Sequence, residues 1–132
     1  VMTAPIIPAL NEPEMEDMLE EARDAGASCA GYVLLRLPYE LKDIFQEWLV
    51  SQFPDRAKRV INVLRSMRGG LDYDSNWQTR GRGDGPHARL IATRFHKACA
   101  RLGLSIRRTQ LRCDLFRKPG QDRNQMSFEL ED

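Results

Sequence analysis

Long apolar runs are absent from this chain. Although 42% of its 132 residues are apolar, no run approaches the ~20 residues that a membrane-spanning helix needs, so no membrane partner is expected. Cysteine is scarce and scattered: Cys29, Cys99 and Cys113 form no CxxC pair and are odd in number, which argues against a disulfide framework and suits a reducing cytoplasm. Cys29 reads as a small hydrophobe at a strand start and Cys99 as a core-facing helix residue. There are only two histidines. His96 and Cys99 lie three apart, a spacing that could supply two metal ligands, but no second pair accompanies them. The acidic residues between Glu12 and Asp24 contain neither a DxDxDG loop nor an HExxH helix, so they read as a solvated helix face.

What is present is a balanced globular composition with strongly segregated charge. The formal net charge is +1 and 30% of residues are charged. Residues 1–55 nevertheless hold 3 basic and 11 acidic side chains, whereas residues 56–108 hold 13 basic and 3 acidic. A basic segment of that density is the electrostatic footprint of a phosphate-binding surface; a solvated face balancing the acidic third explains it equally well.

The opening VMTAPIIPAL (1–10) is an apolar, proline-punctuated run that predicts a strand. Asn11 is a good N-cap for a helix over Glu12–Ala25, whose Met15, Met18, Leu19 and Ala22 form one stripe. AGYVLLRLP (30–38) predicts a second strand, with Arg36 at its carboxyl end, the end at which ligands gather in α/β folds; pairing with a nearby carboxylate such as Glu40 explains that arginine equally well. Strand, helix and strand make a parallel unit that needs further elements to cover it, and the chain reads as part of a larger enzyme. A helix over 39–52 is expected to bury Leu41, Ile44, Phe45, Trp48 and Leu49. One over 55–67 packs Ala57, Val60, Ile61, Leu64 and Met67 and exposes Arg56, Lys58, Arg59 and Arg65. One over 86–102 points Leu90, Ile91, Phe95, Ala98 and Leu102 inward. A late strand is expected around Thr109–Phe116, then a polar tail.

Between the last two helices lies RGGLDYDSNWQTRGRGDGP (68–86), too long and aperiodic for an ordinary connection. Arginines interleaved with Tyr73 and Trp77 suit base stacking plus phosphate contact, and aromatics pinning the loop to the core would look the same. Gly81, Gly83 and Gly85 precede a helix and could form an anion nest, although the spacing of a dinucleotide fingerprint is missing.

The joint order of APIIPALNE, an acidic helix ending in DAGA, AGYVLLRLP and the glycine, arginine and aromatic block resembles the C-terminal portion of radical S-adenosylmethionine proteins of the spore photoproduct lyase-like (DNA repair photolyase-like) group. The resemblance runs from Val1 to about Phe116. It implies an α/β fold in which residues 1–38 are the last strands and helix of a partial (β/α) barrel and residues 39–132 a helical C-terminal extension. It also implies S-adenosylmethionine and a [4Fe-4S] cluster as cofactors of the whole protein, the cluster being held by a CxxxCxxC loop that this sequence does not contain. By the same resemblance, strand-end residues Ile7, Pro8 and Asn11, with Leu35, Arg36 and Leu37 through their backbone, would touch the adenosyl group. Arg59, Arg65, Tyr73, Trp77, Arg80 and Arg82 are the candidate nucleic-acid or substrate contacts.

The expected function is therefore the C-terminal fragment of a radical S-adenosylmethionine enzyme acting on nucleic acid, inert by itself, holding no cluster and partnered by the missing N-terminal part of the same polypeptide. Open strand edges would favour homo-oligomers. The alternative is a stand-alone basic nucleic-acid-binding or adaptor domain without catalysis.

Overall fold

The computed structural model describes residues 1–107 and 112–116. Among them a strand β1 (Met2–Ile6), a 3₁₀ turn (Glu12–Glu14), helix α1 (Met15–Asp24), strand β2 (Gly31–Leu34) and helices α2 (Leu41–Gln52), α3 (Pro54–Ser66) and α4 (Gly85–Leu102) follow one another. The two strands pair in parallel, Met2 with Gly31, Thr3 with Tyr32 and Ile6 with Leu34. The register slips between Thr3 and Ile6, the stretch that holds Pro5, a residue with no N–H for a ladder. Both strands are shorter than the apolar runs that encode them. After Ile6 the chain turns back at once, with the N–H groups of Leu10, Asn11 and Glu12 all donating to the Ile7 carbonyl.

The β1–α1–β2 unit is thus the expected mixed α/β arrangement. Beyond β2 the sheet is not extended by a third full strand among the described residues. An isolated parallel bridge joins Cys29 to Ser105, and the Leu34 N–H donates to the Gly81 carbonyl at 2.9 Å. The expected late strand is not seen: residues 109–111 lie outside the described residues, and Arg112–Phe116 forms a turn in which Arg112 and Asp114 pair at 2.6 Å.

One core draws on both sides of the expected boundary at residue 38. Ile6, Met15, Leu19 and Leu34 pack with Val60, Leu64, Met67, Ile91 and Phe95, and the rings of Tyr32 and Phe95 lie 4.7 Å apart. Helix α4 turns Ala88, Ile91, Phe95, Ala98 and Cys99 inward. Leu90 is exposed, contrary to the expectation, because it lies one residue off that stripe and a 100° step carries it to solvent. Burial also pushes the Cys99 thiol up in pKa, consistent with a packing role.

Three further expectations fail. Helix α2 buries only Leu49; Leu41, Ile44 and Trp48 are exposed, since α2 packs on α3 and nothing among the described residues covers its other apolar side. The acidic segment is not all solvated: Glu12 is 5% exposed. Asn11 does not cap a helix through its side chain. Instead its Oδ1 accepts from the Ile7 N–H at 2.7 Å and its Nδ2 donates to the Pro5 carbonyl at 3.1 Å, closing the turn after β1. Among the described residues no helix is long and apolar enough to cross a membrane.

Candidate functional site

The carboxyl ends of β1 and β2 meet, the Leu35 N–H donating to the Ile6 carbonyl at 2.9 Å. Of the residues expected there, Pro8 is fully buried and both polar groups of the Asn11 side chain are consumed by the turn. Ile7 and Leu35 are half-buried and Leu37 is buried. Among the described residues Arg36 has no ion-pair partner, Glu40 included, and its Nε is the one buried side-chain polar atom without a hydrogen-bond partner.

Arg68, which the sequence marks only as one arginine of a basic loop, proves to be the structural anchor of this region. It is 5% exposed. One guanidinium nitrogen, Nη2, donates to the Leu35 carbonyl and the other, Nη1, donates to the Arg80 carbonyl at 3.2 Å. It therefore ties the end of β2 to the long loop. Desolvation lowers its pKa first, the nearby Asp74 opposes that, and the charge of Arg36 adds to it.

Local hydrogen bonds hold the loop. Asp74 accepts from the Asn76 N–H at 2.8 Å and from the Thr79 hydroxyl, bonds that hold its carboxyl below the usual range, the hydroxyl contributing most. Gly83 has φ +65°, and a Cβ there would lie 3.2 Å from Leu34 Cδ1 and from the Met67 carbonyl oxygen, so glycine allows the loop to sit against the core. The expected anion nest is closed by protein groups: the Asp84 N–H donates to the Met67 carbonyl, and the Asp84 carboxylate accepts from the Gly85 N–H at 2.6 Å.

Trp77 is 77% exposed, so it does not pin the loop. The Arg80 guanidinium sits 3.3 Å above its ring, a cation–π stack. Next to it, Arg82 lies 5.1 Å from the Tyr32 ring. A cleft of about 740 Å³ opens here along β2, lined by Tyr32, Trp77, Gln78, Arg82, His96 and Arg107 among others. The pinned positions Ala30, bonded to the Ser105 carbonyl, and Leu34, bonded to the Gly81 carbonyl, bracket the strand segment that borders it.

Of the candidate contacts, the structure brings together Trp77, Arg80 and Arg82. Arg59 is exposed on α3, Tyr73 is half-buried outside the cleft lining, and Arg65 is engaged elsewhere: its Nε and Nη2 fork Asp72 at 2.5 and 3.1 Å. That pairing raises the arginine's pKa and lowers the carboxyl's. His96 and Arg107 join the cleft through tertiary placement that no local motif announces.

A second polar cluster surrounds a buried acid. Buried Glu12 accepts from Arg94 Nη1 at 2.9 Å and lies 2.9 Å from His87 Nε2. Arg94 also forks Glu16, at 2.8 and 2.6 Å, and that bond holds the Glu16 carboxyl below its ordinary value while raising Arg94. His87 and Arg94 are seven apart, two turns of one helix face, a spacing that could have marked them. Among the described residues no group of three or more His, Cys, Asp or Glu gathers as a metal site. Comparison with protein-family models, curated proteins and solved structures gives no match.

Proposed function

We propose that this chain is the C-terminal portion of a partial (β/α) barrel enzyme of the radical S-adenosylmethionine type, and that its cleft beside β2 receives single-stranded nucleic acid. The observation that carries the binding half is the exposed Trp77 with Arg80 on one ring face, beside Arg82, His96 and Arg107. Exposed rings accept bases of any sequence and clustered cations accept phosphates. The barrel half is supported by the parallel β1–α1–β2 unit, whose β1 has one strand neighbour among the described residues.

S-adenosylmethionine, when bound to a reduced cluster, supplies a 5′-deoxyadenosyl radical for hydrogen abstraction. Pro8 and Asn11 are occupied within their turn and the Leu35 backbone is bonded to Ile6 and Arg68, which leaves the backbone of Arg36 and Leu37 as the part of this chain suited to touch the adenosyl group; no cluster ligand set is found among the described residues. The second reading, a binding domain without catalysis, is favoured by the cleft's drawing Trp77, Arg82, His96 and Arg107 from this chain itself.

Fluorescence anisotropy of a labelled single-stranded oligonucleotide across salt concentrations tests the binding half. We expect weak, sequence-tolerant binding with a log–log salt slope of about 0.7 per neutralised phosphate. Replacing Trp77 by alanine is expected to cost ~1–3 kcal/mol of affinity at unchanged slope, and Arg82→Ala to flatten the slope. Absence of binding at low salt would falsify it. A CxxxCxxC loop encoded upstream of Val1 is the expected result for the barrel half; a start codon immediately before Val1 selects the domain without catalysis.

A further inference from the structure

A second concave surface lies at the carboxyl end of β2, on the side of α2. It is a groove of about 330 Å³ whose walls are Leu35, Leu37, Leu41, Ile44, Phe45 and Trp48, with Arg36 as the one charged lining residue among those described. Leu41, Ile44 and Trp48 are 46%, 57% and 42% exposed, so the apolar wall is open to a ligand. Arg36 stands in this otherwise apolar lining with its Nε buried and unbonded. A buried donor left without an acceptor is rare in folded proteins and costly.

The surroundings do not neutralise it. Among the described residues no carboxylate pairs with Arg36 within ion-pair distance, Glu40 included. Its charged neighbour is another guanidinium, Arg68, which is itself committed to the carbonyls of Leu35 and Arg80 and whose charged form Arg36 disfavours. The nearest acid acting on Arg68, Asp74, is spent on Asn76 and Thr79. Two neighbouring cations at the end of a strand, one of them with no acceptor on its buried Nε, attract an anion, and the planar guanidinium matches a carboxylate or phosphate.

We propose that this groove is a binding site for an amphiphilic anion, a ring-sized apolar body lying against Ile44, Phe45 and Trp48 with its carboxylate or phosphate on Arg36. The inference goes beyond the function proposed above and needs neither the barrel nor the oligonucleotide cleft: the resemblance gives this strand end a backbone contact and leaves the arginine side chain without a role.

The test uses the whole chain and two probes of matched shape, anionic anilinonaphthalene sulfonate and neutral phenylnaphthylamine. Binding is read by probe emission and by energy transfer from Trp48 in a Trp77→Phe background, which also separates the groove from the cleft. We expect the anion to bind tighter than the neutral probe. Arg36→Gln is expected to weaken the anion about tenfold, the scale of a charge-assisted pair, and to leave the neutral probe within about twofold. Arg36→Lys retains part of the anion preference, and Ile44→Glu, on an exposed position, abolishes both. Displacement by naphthylacetate against naphthyl phosphate tells carboxylate from phosphate ligands. Equal affinity for the two probes, or an Arg36→Gln variant that binds both unchanged, overturns the proposal. So does a dimer by light scattering that Ile44→Glu dissolves, because the groove is then the seat of a second copy.

Discussion

Helices α4 and α2 carry comparable amphipathic patterns, yet one is sealed and the other is not. Against α4, Ile91 and Phe95 are almost completely buried, and the polar rim of the contact with α1 is closed by Glu12, Glu16, His87 and Arg94 in one bonded network. Against α2 only Leu49 is buried, while Trp48 stands between Phe45 and Phe53 with ring distances of 5.6 and 5.5 Å and remains partly open. The contrast teaches that an apolar stripe fixes which side of a helix seeks cover, while the charges at its margin show whether this chain itself provides it. α4 has its closing charges. α2 has an unanswered arginine.

The largest break in this contrast is expected from Phe95→Ala, which empties the sealed side and costs about 3–5 kcal/mol in urea unfolding. Next, Arg94→Met leaves Glu12 buried with only His87 and the Ala9 N–H as partners and is expected to cost about 2–3 kcal/mol, with Glu12→Gln in the same background recovering part of the loss in a double-mutant cycle. Acid comes third. The Glu16 carboxyl lies below its ordinary value of 4.5 because Arg94 bonds it; a depressed carboxylate contributes stability that is present above its unfolded-state pKa and lost as pH falls through the folded one. Melting temperature is therefore expected to drop as pH is lowered from 4.5, and the Arg94→Met variant to lose less over the same interval. The smallest effect belongs to the open side: Ile44→Ser is expected to shift stability by no more than about 0.5 kcal/mol. A loss comparable to that of Phe95→Ala would show that the α2 face is covered after all.

Much of the fold was legible because helices announce themselves by period. The stripes Ala57, Val60, Leu64 and Ile91, Phe95, Ala98 locate α3 and α4, and the two apolar runs locate β1 and β2. The strands end early for a reason that the same runs conceal: Asn11 folds back on Pro5 and Ile7 instead of capping a helix, and Arg68 takes the Leu35 carbonyl out of any ladder. Glu12 was misread because an acid in a first turn is already explained by the helix dipole, and its partners His87 and Arg94 are more than 70 residues away in sequence. In the candidate cleft the Trp77–Arg80 pair was visible as neighbours in one loop. His96 and Arg107 were not, since only the packing of α4 and the chain after it beside β2 delivers them there.

The stack of Arg80 on Trp77 has a directional consequence. One face of the indole is already covered by a guanidinium, so an incoming ring has a single landing surface and forms the third layer of a sandwich whose outer layer is positively charged. Such a platform takes one ring at a time and does not intercalate between two. The electron density that the cation draws from the indole also makes it a poorer host for a second cation and a better one for a neutral or electron-rich ring.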